Sequence, residues 1–186
     1  GRYLDDLNLD RQARAVIVRS PHAHADIVSI DTAEAAAMPG VLAVLTGADY
    51  RADDMGVVPC MGNYTHRNGG PMYIPERPAL AIGRVMHIGY PVALVVAETE
   101  AQARDAAERI AVDYDPLPAV TDCWEAFQPG APQLYDDCPN NEVYLYEAGD
   151  RAATDAAFAD ADHTVEQRLV INRVTANAME TRGVIG

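Results

Sequence analysis

The chain has 186 residues, of which 49% are apolar, enough to bury a core and to hold one domain plus part of another. It carries 28 acidic against 14 basic residues, and a net charge of −14 disfavours nucleic acid and anionic membranes as partners. All its basic residues are arginine, which excludes P-loop and Schiff-base chemistry, and no apolar run of about 18 residues is present to cross a membrane.

The opening "GRYLDDLNLDRQ" has neither the cationic start nor the apolar stretch of a secretory signal, and it lacks an initiator Met. A processed or excised piece of a cytoplasmic protein is expected. "ARAVIVR", residues 13–19, predicts a strand ended by the turn at Ser20-Pro21. "ADIVSI", residues 25–30, alternates apolar and polar side chains and predicts a second strand. Asp31 then suits an N-cap, with Glu34 three residues on, for the short helix "TAEAAAM". Pro39-Gly40 stops that helix, and "VLAVLT", residues 41–46, predicts a buried strand. This strand–helix–strand unit takes about 20 residues, where a full βαβ crossover takes about 30.

Residues 51–79 are rich in Gly, Pro and Asn and predict a long surface loop or partner-facing arm. Order returns at "GYPVALVVAET". Pro91 to Ala97 is nearly continuous in apolar and β-branched residues, which suits a central buried strand. Thr99 caps the next helix, with Gln102 three residues later. Ala103, Ala106, Ala107 and Ile110 mark its apolar face, small enough for close packing on a sheet. "AVDYDPLPAV" predicts a strand ended by prolines, and "CWEAF" a helical turn. Residues 128–147 have the composition of a linker; a short helix in "DRAATDAAFAD" and a strand in "HTVEQRLVINR" follow it. An apolar "GVIG" directly after them is an unusual ending for a domain, so a truncated piece is expected.

Candidate chemistry is thin. His22 and His24 would share a face if the preceding strand continued, with Asp26 nearby, but a metal site needs further ligands, and His66, His87 and His163 are scattered. The Ser20-Pro21 turn also frees the two rings from a common face. His66 and Arg67 have no helix start behind them to complete an anion site. The carboxylate pairs Asp5-Asp6, Asp53-Asp54 and Asp136-Asp137 lie in polar stretches, without the contrast of environments that acid–base work requires. Ser20 and Ser29 lie outside any G-x-S-x-G elbow, and no G-x-G-x-x-G occurs. Cys60, Cys123 and Cys138 have no C-x-x-C spacing, so they suit reduced intracellular thiols and are too few for an iron–sulfur cluster; Cys123 also lacks a His partner. From the residues alone, no catalytic, cofactor-binding or metal-binding residue is expected in this chain.

The blocks "VRSPHAHADIVSIDTAEAAAMPGVLAVLTGADY" and "GYPVALVVAETEAQARDAAERIAVDYDPLPAVTD" resemble the large subunits of molybdenum hydroxylases. That family comprises aldehyde oxidase, xanthine dehydrogenase and aerobic carbon monoxide dehydrogenase. Its members typically show G-x-P-V-A-x-V-V-A, then a helix, then V-x-Y-x-x-L-P. "NRVTANAMETRG" is similar to the family block R-x-x-x-N-P-M-E-P-R-G, with Ala178 and Thr181 standing where proline is usual. It differs from the glutamine-led equivalent of the animal-type enzymes, which favours a bacterial multi-subunit relative.

The resemblance implies an α+β fold: an α/β hammerhead domain over residues 1–125, a linker over 126–148, and from 149 to 186 the truncated start of a molybdenum-cofactor domain. It implies an oxidoreductase that oxidises an aldehyde, an N-heterocycle or CO with oxygen from water. Its molybdenum would be held by a pyranopterin, with iron–sulfur clusters and FAD on partner subunits or domains, in a dimer of heterotrimers. A glutamine loop at the cofactor, an arginine-containing substrate loop and a late glutamate base would all follow Gly186. The piece in hand would then be structural and inactive alone, its residues 51–79 meeting a partner subunit or the rest of the large chain. The alternative is a stand-alone acidic interaction module.

Overall fold

The computed structural model describes residues 1–172, 174–180 and 182–186. Arg173 and Thr181, both in the block compared with R-x-x-x-N-P-M-E-P-R-G, lie outside the described residues. The strands are β1 (Arg14–Arg19), β2 (Ala25–Asp31), β3 (Val41–Thr46), β4 (Arg84–Val85), β5 (Pro91–Ala97) and β6 (Ala111–Pro116). The helices are α1 (Ala33–Ala36), α2 (Gly47–Ala52), α3 (Glu100–Ala107), α4 (Cys123–Ala126) and α5 (Arg151–Ala159). The chain divides into two compact units, one spanning Arg11–Tyr146 and the other combining Gly1–Asp10 with Glu147–Gly186.

In the larger unit the apolar run of β5 lies at the centre of an antiparallel sheet in the order β1-β5-β3, as its composition predicts. Val95 and Ala97 are fully buried on the face that receives Ala103 and Ala106 of α3 and Ala35 of α1. Alanines at these positions let helix backbone approach sheet backbone closely, so a larger side chain there would overpack the contact. The Thr99 hydroxyl accepts the Gln102 N–H, closing the N-terminus of α3.

A second sheet has the order β4-β2-β6. Its core joins Ala25, Ala81, Val85 and Val92 to the half-buried Ile27, Ile30, Val112 and Tyr114. β2 and β3 thus belong to different sheets. The strand–helix–strand unit bridges two sheets instead of crossing over one, and this is why about 20 residues suffice. Asp31 ends β2 and is not the N-cap of α1; Thr32 takes that place, while Asp31 Oδ1 accepts the Ala33 N–H at 2.9 Å.

Two further differences concern segments read as loop. Helix α2 runs through Arg51 and Ala52, so the irregular stretch begins after it. Its N-terminus is a capping box in which the Asp49 carboxylate accepts the Thr46 N–H and hydroxyl, each at 2.7 Å. The Pro/Asn/Asp-rich residues that follow α4 are tied down as well: Asn141 Nδ2 donates to the carbonyls of Ala126 and Pro132, and its Oδ1 accepts the Leu134 N–H.

In the smaller unit, Asp150 caps α5 by accepting the Ala153 N–H at 2.9 Å. The strand expected in "HTVEQRLVINR" is not formed: residues 163–172 lie in no helix or strand, and Ile171 is 92% exposed. Apolar, β-branched residues favour a strand only when a neighbour supplies the ladder, and none does so among the described residues.

Candidate functional site

The strand that would carry both histidines on one face ends at Arg19. Ser20, buried at the turn, accepts the His22 N–H at 3.0 Å. The His22 ring then packs at 4.8 Å on Tyr114 of β6. His24 is only 5% exposed, and its Nδ1 lies 2.9 Å from the Pro118 carbonyl, so that nitrogen carries the proton and donates it. His24 Nε2 is buried with no hydrogen-bond partner among the described residues. The two rings therefore occupy different surroundings.

Asp26 turns to another task. Arg84 Nε donates to its Oδ1 at 2.5 Å and Nη2 to its Oδ2 at 3.4 Å, while Nη1 reaches Asp136 at 3.3 Å. The guanidinium bond holds the Asp26 carboxyl below its ordinary range, and the same pairing raises Arg84. This charged node joins β2, β4 and the segment after α4. Its members are separated by 58 and 52 residues in sequence, so no local spacing could reveal it.

The irregular segment after α2 is held by the stretch that precedes Glu147. His66 Nε2 lies 2.8 Å from Glu142 Oε1, the Arg67 N–H donates to Leu145 O at 2.7 Å, and the Tyr73 N–H to Val143 O at 2.8 Å. Tyr64 stacks on Tyr144 at 4.9 Å. Tyr73 donates its hydroxyl to Asp137 at 2.6 Å, and burial with that carboxylate pushes its phenol well above the ordinary value. Both members of the Asp136-Asp137 pair are thus structural partners.

Asp53 and Asp54 are exposed at the end of α2, and Asp6 accepts the Tyr3 N–H; the side chain of Asp5 lies outside those described. Cys123 is exposed at the start of α4, and Cys60 stands in the irregular segment. Burial raises the Cys138 thiol, which makes it a poor nucleophile. A cleft of about 260 Å³, bordered by Tyr50, Met55, Glu76, Arg84, Met86 and Tyr90, brings no nucleophile–base pair together. Among the described residues, no three His, Cys, Asp or Glu side chains group to hold a metal ion. The orphan His24 Nε2 stands by itself. The described residues therefore do not compose a seat for a metal centre, and no chemical step is assigned to them.

The family model described as "aldehyde oxidase and xanthine dehydrogenase, a/b hammerhead domain" matches residues 1–118. The carbon monoxide dehydrogenase large chain of Afipia carboxidovorans is 35% identical over 193 aligned residues, which take in 97% of this chain. The nicotine 6-hydroxylase large subunit of Paenarthrobacter nicotinovorans is 38% identical across all of it. In each case the chain spans 22% of the relative's length. Among solved structures, the reconstituted CO dehydrogenase from Oligotropha carboxidovorans superposes with a TM-score of 0.73 at 36% identity. That match covers 88% of this chain and 20% of the other.

Proposed function

The chain belongs to the family of aldehyde oxidases and xanthine dehydrogenases, whose α/β hammerhead domain it contains, and from that premise we propose that it is the N-terminal part of a molybdenum hydroxylase large subunit. The observation that carries this reading is similarity along 97% or more of the chain to large subunits of which it makes up about a fifth. In the proposed whole enzyme an aldehyde, an N-heterocycle or CO is oxidised with oxygen derived from water. The molybdenum–pyranopterin group, when bound, supplies the oxygen-transfer and two-electron chemistry. Electrons then pass to iron–sulfur clusters and a flavin on partner subunits, in a cytoplasmic dimer of heterotrimers. Among the described residues, no helix is long and apolar enough to cross a membrane.

Within that enzyme residues 1–125 are the hammerhead, 126–148 the connection, and 149–186 the start of the cofactor domain. This chain contributes packing and assembly; substrate pocket and base belong to polypeptide beyond it. The wholly structural use of Asp26, His66, Arg84, Asp136 and Asp137 supports this division.

The test compares the full-length large subunit, produced with its partner subunits, with the 186-residue chain alone. Molybdenum and oxidised pterin are quantified in both, and reduction of an artificial electron acceptor is followed with a pyridine-type heterocycle, an aldehyde and CO. Molybdenum and activity are expected in the complex, and neither in the isolated chain. A full-length complex that binds no molybdenum would overturn the reading.

A further inference from the structure

Strand β2 is paired on one edge by β6 along its length, from Ala25 to Asp31. On its other edge β4 pairs only with Ala25 and Asp26, and the Ile27 N–H adds one bond to Gly83 O at 2.8 Å. From Val28 to Asp31 that edge has no strand beside it among the described residues. Folded proteins do not leave such an edge bare without protection by charge, proline or cover. Here the exposed residues are Val28, 62% exposed at the register shift, Ser29 and, at the far end, Asp31, with the half-buried Ile30 between them; the one charge on this edge is turned to the Ala33 N–H.

Helix α2 runs alongside this edge, and between them lies a groove of about 490 Å³. Its walls include Ile30, Ala48, Ala52 and Ile82. Gly47 sets its floor, since a Cβ there would lie 2.0 Å from the Ala81 carbonyl oxygen; only glycine lets the helix settle so low. One charged side chain borders the groove, Arg51, which is exposed and has no carboxylate partner among the described residues. That contrasts with Arg84, whose charge is met by two carboxylates. An open strand edge faced by a helix, with apolar pockets and one cation, is the arrangement that accepts an added strand: main-chain bonds give affinity, and alternate side chains give specificity.

We propose that the groove between the open edge of β2 and helix α2 receives an extended segment of the large subunit's own remaining polypeptide, with apolar side chains at alternate positions and a carboxylate against Arg51. The four edge residues correspond to about 13 Å of strand, and Ile30, Ala48, Ala52 and Ile82 offer apolar surface beside it. A small-molecule ligand is disfavoured because, beside a row of backbone amides and carbonyls, the side-chain polar groups on offer are the Ser29 hydroxyl and one guanidinium, the Thr46 hydroxyl being given to Asp49. The source is assigned to the same chain because the piece in hand is 22% of the length of the matched large subunits, which leaves most of such a polypeptide to be packed against it. This inference rests on the reading of the chain as part of a longer large subunit.

The test is hydrogen–deuterium exchange at residues 28–31, compared between the 186-residue chain, the full-length large subunit alone, and the assembled complex, with molybdenum measured on the same samples. The edge amides not bonded to β6 are expected to exchange freely in the isolated chain and at least about tenfold more slowly in the large subunit alone. Arg51→Ala in the full-length subunit is expected to return about fivefold of that protection. Equal exchange in all three samples would eliminate the site. Slowing that appears only when the iron–sulfur or flavin subunit joins would transfer the occupant to that subunit and overturn the assignment. Unchanged protection in Arg51→Ala would remove the carboxylate. Slowed edge amides in the large subunit together with an assembled complex that holds no molybdenum would refute the functional reading and leave the groove inference standing.

Discussion

Gly47→Ala and Gly183→Ala form a matched pair that separates backbone constraint from side-chain crowding. A Cβ on Gly47 would lie 2.0 Å from the Ala81 carbonyl oxygen and 2.8 Å from its carbon, and one on Gly183 would lie 2.0 Å from Leu4 Cδ2. The closest approach is the same, but what must yield differs. Leu4 can swing its methyl aside by a rotamer change. Ala81 cannot, because its N–H donates to Pro91 O at 2.8 Å and the nearby Gly83 carbonyl holds the Ile27 N–H. Relief at Gly47 therefore means moving α2 or the Ala81 backbone by about 1 Å, an overpacking cost of about 3 kcal/mol. The better helix propensity of alanine returns at most about 1 kcal/mol at this first helical position. A net loss of about 2 kcal/mol corresponds to a fall of roughly 4–8 °C in Tm for a chain of this length. Gly183→Ala should stay within about 0.5 kcal/mol of wild type. Thermal unfolding followed by circular dichroism, with urea titrations alongside, measures both. Equal shifts in the two variants, or a Gly47→Ala shift under about 1 °C, would refute the argument that a fixed carbonyl decides the cost.

Three other outcomes are expected. Because Arg84 holds the Asp26 carboxyl below its ordinary 3.8, the stability it contributes is present above that value and lost as pH falls through the depressed one; the wild-type advantage over Asp26→Asn in urea unfolding should be full at neutral pH and disappear in strong acid. Cys123 is exposed while Cys138 is 2% exposed with a raised pKa, so iodoacetamide followed by peptide mass analysis should label Cys123 first and Cys138 only on unfolding; rapid labelling of Cys138 would contradict its burial. Thr99→Ala should remove the cap of α3 at a cost of about 1 kcal/mol, seen as a Tm lowered by roughly 2–4 °C, and Thr99→Ser should recover most of it.

What the sequence disclosed about the fold follows from how local each determinant is. β5 and α3 were legible because each announces itself within its own residues: a continuous apolar run in one case, a Thr99 cap and a stripe of alanines in the other. α2 shows no pattern of its own because "GADYRA" has no apolar period, although Thr46 and Asp49 stand at capping-box spacing. β4 is two residues long and falls below any pattern. The candidate site was legible only in the negative. The Ser20-Pro21 turn warned that the His22 and His24 rings need not share a face, but the destination of Asp26 depended on Arg84, 58 residues away.

Residues 163–172 expose the deeper reason. A strand's hydrogen bonds lie outside its own residues, so its sequence states a capacity for pairing and leaves the partner unspecified. Val165, Leu169 and Ile171 express that capacity, yet all stand exposed with no ladder beside them among the described residues. The edge of β2 from Val28 to Asp31 is the converse, a ladder position with no strand occupying it. In both, the outcome is set by residues distant in sequence and not by the segment's own pattern. On that account the chain should form its helices, which are closed by their own caps at Thr99, Asp122 and Asp150, sooner than its strands, whose bonds join residues far apart in sequence.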